Sequence, residues 1–91
     1  MYEKDDVVIG LIGLSEEICV VKDVMLDYDP VEDEYTGFVE YVLQVLSGFN
    51  YDPSNMIVYN TDQKRYEVTI DEGLVRSLKL EDISGLLLES V

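Results

Sequence analysis

Five carboxylates fall within eight positions of this chain: Asp27, Asp29, Glu32, Asp33 and Glu34. Clustered side chains of this type can hold a hard cation or answer a basic partner. The Asp27-x-Asp29 pair lacks both the glycine and the ligand spacing of a calcium loop, so the expectation is a hydrated, mobile acidic loop that could bind a partner. Lys64, Arg65, Arg76 and Lys79 are the one basic concentration. As a single patch they could grip nucleic acid locally; the plainer expectation is ion pairing with Glu67 and neighbouring acids. Cys19 stands alone, which rules out an intrachain disulfide and a multi-cysteine metal site, and its apolar surroundings mark it as a small buried hydrophobe. There is no histidine and no glycine-rich loop ending in Gly-Lys-Ser/Thr. Histidine-based nucleophilic catalysis is therefore excluded, and no pair among twenty acids can be singled out for hydrolysis. The expectation is a non-enzymatic protein with no cofactor and no metal.

Twenty acidic residues against six basic ones give a net charge of -14 over 91 residues. Such a field repels phosphate at long range, which disfavours nucleic acid as a partner. Apolar residues make up 47% of the chain and fall in short runs, too many for a disordered acidic tail. One domain spanning residues 1–91 is expected, with a core small enough that burying a further face against a second subunit would help. The acidic start and the glycine-interrupted run from Val7 to Leu14 resemble neither a leader nor a membrane span, and a reducing, cytoplasmic setting is expected.

These residues must be positioned by short β-type segments. Val7 to Leu14 reads as a strand, Ser15-Glu16-Glu17 as a turn, and Ile18 to Tyr28 as a second strand. In that second strand Ile18, Val20, Val24, Leu26 and Tyr28 would share one face, and Cys19, Val21 and Met25 the other. Gly10 and Gly13 suit a bent strand. The acidic loop around Pro30 follows. Residues 37–48 fit either a third strand or a helix with a narrow polar stripe at Glu40, Gln44 and Ser47, with β-branched content favouring the strand. Asn50 to Asn55 reads as a loop, after which Met56 to Tyr59 and Tyr66 to Ile70 could pair. Asp71-Glu72-Gly73 makes a tight break before a last strand from Leu74 to Leu80. A short terminal helix would then present Ile83, Leu86 and Leu87.

The order of these segments resembles the Sm-like family. The segments that carry the resemblance are Val8 to Leu14, Glu17 to Met25, Tyr66 to Ile70, and Leu74 to Leu80, the last two joined by Asp71-Glu72-Gly73. It is nearest in style to the small Sm-like proteins of tailed phages and cyanophages, which lack an N-terminal helix and often append a C-terminal one. The resemblance implies a mainly β fold: a five-stranded, strongly bent, SH3-type barrel with a short C-terminal helix, in the cytoplasm of an infected bacterial host. It also implies a homo-oligomeric ring of about five to seven subunits. The subunit edges would be built from Tyr66, Val68 and Ile70 on one side and Leu74, Arg76 and Leu78 on the other. The family's RNA-contacting motifs are missing from the loop after the second strand and from the break after Ile70, so no RNA-binding residue is carried over.

Three functions of different kind fit: a ring-forming scaffold or RNA-associated subunit, an acidic decoy that imitates DNA and occupies a host nucleic-acid-binding or defence protein, and an adaptor that binds protein through an edge strand.

Overall fold

Six strands follow one another: β1 (Val7–Ile12), β2 (Ser15–Asp29), β3 (Glu34–Val45), β4 (Val58–Asn60), β5 (Arg65–Asp71) and β6 (Val75–Ser77). They belong to a computed structural model that describes residues 1–46 and 56–83. All pair antiparallel in one open sheet ordered β4-β5-β3-β2-β1-β6. The fold is mainly β, with one strand more than the five expected. The additional strand is β4, which pairs with the start of β5 as Met56 to Tyr59 was expected to do. Residues 37–45 are strand, which decides the strand-or-helix question over that stretch. Ser47, Gly48, the loop expected at Asn50 to Asn55, and Leu86 and Leu87 of the expected terminal helix lie outside the described residues. Residues 80–83, including Ile83, form a helical turn.

The first hairpin closes earlier than the residues Ser15 to Glu17 suggested. Ile12 pairs with Ser15, so the loop is the two residues Gly13 and Leu14, and Gly13 has a φ of 63°. A positive φ at the first loop position matches the right-handed twist of the flanking strands, and glycine adopts it without a steric cost. Leu14 at the tip is 99% exposed.

The second departure lies in β2. Val21 pairs with Leu43 but Asp23 pairs with Val42, so Lys22 is an extra residue with no opposite number. One inserted residue inverts the alternation of a strand. Cys19 and Val21 point into the core before it, and Val24 packs on the same core after it, opposite Tyr41. Val24, Leu26 and Tyr28 therefore share the face of Cys19 and Val21, not that of Ile18 and Val20 as regular alternation would have it.

The core lies on one face of the sheet, where Val8, Cys19, Val21, Tyr41, Leu43 and Ile70 are all at most 2% exposed. Gly10 lets β1 come down onto this layer: a Cβ there would stand 3.1 Å from Leu43 Cδ1 and 3.3 Å from Ile70 Cδ1. Between β5 and β6 a 3-10 turn (Glu72–Leu74) redirects the chain, and Asp71 caps it by accepting the Gly73 N–H at 2.8 Å. That turn carries the chain from β5 to the other side of the sheet, where β6 pairs with β1.

Candidate functional site

The residues singled out in the sequence occupy two regions, the lateral edges of the sheet and the far end of the β2–β3 hairpin. At one edge β6 has β1 as its neighbour, in the register Val8 to Ser77, Ile9 to Arg76 and Gly10 to Val75. At the other, β4 covers β5 over residues 65–67, and residues 68–71 have β3 on one side and no strand on the other among the described residues. Val68, Ile70 and Arg76 thus lie on stretches with one strand neighbour. Tyr66 is different: it faces Tyr59 of β4, with ring centroids 5.0 Å apart. Leu74 sits in the 3-10 turn and Leu78 follows the end of β6. The side chains of Val68 and Ile70 are each 2% exposed, so this edge offers a partner its backbone rather than those side chains. A shallow hollow of about 310 Å³ lined by Met56, Val58, Glu67, Val68 and Thr69 adjoins the uncovered stretch of β5. A second, of about 230 Å³, lies beside β6 between Ile9, Leu11, Leu74 and Val75, with Glu16 and Arg76 at its margin.

Two of the four basic residues, Arg65 and Arg76, are held by carboxylates. Arg76 Nε donates to Glu16 Oε2 at 2.5 Å, and its two terminal nitrogens donate to the Asp82 carboxylate at 2.9 and 3.1 Å. Asp82 also accepts the Lys79 backbone N–H at 2.8 Å. The Arg76 hydrogen bonds, with help from that N–H, hold the Asp82 carboxyl down to about 2, and the same contacts raise Arg76 above its already high value. Arg65 Nε donates to Glu67 Oε2 at 2.5 Å while Asn60 Nδ2 donates to Glu67 Oε1 at 2.8 Å. Burial pushes the Glu67 carboxyl up, but the hydrogen bonds from Asn60 and Arg65 outweigh it and leave the group below the usual range. Arg65 on β5 and Arg76 on β6 have three strands between them in the sheet. Ion pairing, the plainer expectation, holds for Arg65 and Arg76 and takes both guanidinium groups out of a phosphate-binding patch; Lys64 and Lys79 make no salt bridge among the described residues.

The acidic segment is built differently from a loose loop. Asp27 and Asp29 are in β2 and Glu34 begins β3, which leaves a four-residue tip at residues 30–33. Asp29 Oδ1 accepts the N–H of Val31 at 2.9 Å and of Glu32 at 3.4 Å. Asp33 takes a φ of 54° and accepts the Tyr28 hydroxyl. Thr36 Oγ1 donates to Asp27 Oδ2 at 2.7 Å across the hairpin. Three of the five carboxylates therefore shape the tip: Asp29 caps the backbone of the turn, and Asp27 and Asp33 accept the Thr36 and Tyr28 hydroxyls.

Sequence patterning missed that this hairpin projects. Pairing continues to Asp29 and Glu34, whereas β1 accompanies β2 only as far as Val20 and β5 accompanies β3 only from Glu40 onward. A second irregularity, with three residues of β3 opposite Asp27 alone, places Gly37 at a φ of 92°. The sequence signals for the two irregularities, though not for the projection itself, were Lys22 inside an apolar run and Gly37 inside a strand.

Cys19 is fully buried, its thiol donates to the Glu17 carbonyl at 3.5 Å, and burial pushes it up to about 11. Among the described residues there is no cluster of three or more His, Cys, Asp or Glu side chains arranged to hold a metal ion, and no helix long and apolar enough to cross a membrane. Compared with known protein families, with curated proteins and with solved structures, the chain matches none.

Proposed function

We propose that this chain is a non-enzymatic, self-assembling subunit of Sm-like architecture that serves as a scaffold. The observation that carries the reading is the strand order: the tight turn at Glu72–Leu74 delivers β6 to the opposite edge of the sheet from β5, leaving an incomplete strand edge at each end among the described residues. Unpaired N–H and C=O groups along such edges recruit another chain. Pairing β6 of one copy with residues 68–71 of the next is a head-to-tail contact, and a head-to-tail contact whose rotation closes makes a ring of about five to seven copies. The hollow beside Val58 and Val68 would receive apolar side chains from the neighbour's turn, such as Leu74, which is 39% exposed. RNA is not part of the proposal, since each copy adds a charge of -14 and Arg65 and Arg76 are already engaged by acids.

Light scattering after size exclusion, at low and at high salt, tests the reading. A discrete multiple of the 10.4 kDa chain in both salts, with amide exchange at residues 68–71 and 75–77 slowing as concentration rises, is the expected result. A 10.4 kDa monomer in both salts, with exchange at those residues independent of concentration, refutes it.

A further inference from the structure

The projecting end of the β2–β3 hairpin has two unlike faces. Cross-strand partners share a face, so the pairs Val24–Tyr41, Leu26–Val39 and Tyr28–Tyr35 form one apolar stripe that leaves the core and runs to the tip. Along it exposure rises from Tyr41 at 1% and Val39 at 6% to Leu26 at 50% and Tyr35 at 67%. The opposite face pairs Asp23 with Val42, Met25 with Glu40 and Asp29 with Glu34, so four of its six residues are acids; Phe38, 66% exposed, lies in the irregular stretch opposite Asp27. The arm is held in shape by the edge-on contact of Tyr28 and Tyr35, 5.4 Å between centroids, and by the Thr36–Asp27 and Asp29 hydrogen bonds. An ordered apolar stripe of Leu and Tyr side chains left in water marks an interaction surface.

Charge decides what can cover it. From Asp23 to Glu40 the chain carries seven carboxylates and no basic residue. Two such arms repel each other, and a nucleic acid or an anionic membrane is repelled as well. The rest of the chain is a poor answer to this charge: Lys22, Arg65 and Arg76 are each paired with an acid of their own, and the other three basic residues, Lys4, Lys64 and Lys79, are too few to offset seven carboxylates. We infer that the hairpin arm is a docking element for another protein, whose apolar surface is bordered by lysine and arginine. The apolar stripe supplies the contact, and the carboxylates supply steering and orientation. The inference holds equally for a monomer and for a ring.

Its test uses the full chain and two synthetic peptides of equal length and charge, one alternating lysine with leucine and the other lysine with serine. The Lys/Leu peptide is expected to bind about tenfold or more tightly than the Lys/Ser peptide, with backbone shift changes concentrated at residues 23–40. The double variant Leu26→Ser, Tyr35→Ser should abolish that preference, whereas Met25→Ser on the opposite face should leave it intact. Circular dichroism checks the fold of each variant, and the single variant Tyr35→Thr, which keeps a strand-forming residue, serves if the double variant unfolds. Equal affinity for the two peptides would overturn the inference and indicate binding by charge alone, the behaviour of an acidic decoy. Loss of self-assembly in the double variant would also overturn it, since the arm would then be a contact between copies of this chain.

Discussion

Replacing Gly10 with alanine sets two opposed effects against each other, and the geometry decides the sign. Gly10 lies in a strand with β2 on one side and β6 on the other, opposite Glu17 and Val75, and its φ is not positive, so the backbone does not demand glycine. Restricting the unfolded chain would by itself stabilise the protein by about 0.5–1 kcal/mol. Against this, the new methyl would stand 3.1 Å from Leu43 Cδ1, 3.3 Å from Ile70 Cδ1 and 3.5 Å from Cys19 Sγ. Leu43 is 0% and Ile70 2% exposed, so neither has free space to retreat into, and overpacking of this kind costs about 1–3 kcal/mol. The net expectation is a loss of about 1–2 kcal/mol. With a urea dependence of about 1 kcal/mol per molar, the unfolding midpoint, followed by tyrosine fluorescence at fixed protein concentration, should fall by about 1–2 M. Leu43→Val removes a contacted methyl and should cost about 0.5–1.5 kcal/mol alone. In combination, the two substitutions should cost less than the sum by about 1 kcal/mol, because the alanine methyl fills the vacated space. A neutral or stabilised Gly10→Ala protein, or strict additivity in the double variant, would refute the account of how β1 seats on the core.

The buried thiol of Cys19, raised to about 11, should resist an aromatic disulfide reagent at pH 8 in the native protein and react once urea unfolds the chain; fast native reaction would mean β2 opens locally. The Asp82 carboxyl, held at about 2 against an ordinary 3.8, contributes its tie to Arg76 and Lys79 fully above pH 4, and loses it as pH falls toward 2. A carboxyl carbon titration should find Asp82 among the last acids to protonate, with the Lys79 amide moving in step, and a midpoint near 3.8 would show that the tie is absent in solution.

Much of the strand layout was legible in the residues themselves. Short β-branched runs separated by glycine, proline and acidic clusters fix where extended segments begin and end, since those preferences act within a few residues. The break after Ile70 was visible for the same reason: Asp71 and Gly73 are two positions apart, and the cap they form is local. The excess of acid and the absence of histidine are sufficient by themselves to disfavour nucleic acid and exclude histidine chemistry. Tertiary structure decided what depended on a partner distant in the chain. Lys22 is a bulge only because β3 supplies one residue fewer across from it, and that single offset sends Val24, Leu26 and Tyr28 to the core side. Arg76 finds Glu16 sixty positions away, which removes it from any basic patch. The projection of the β2–β3 arm depends on where β1 and β5 stop pairing, a property of the neighbouring strands and of no residue within the arm. Local preference chooses a dihedral angle; register and edge exposure are set only when another strand arrives to be counted against.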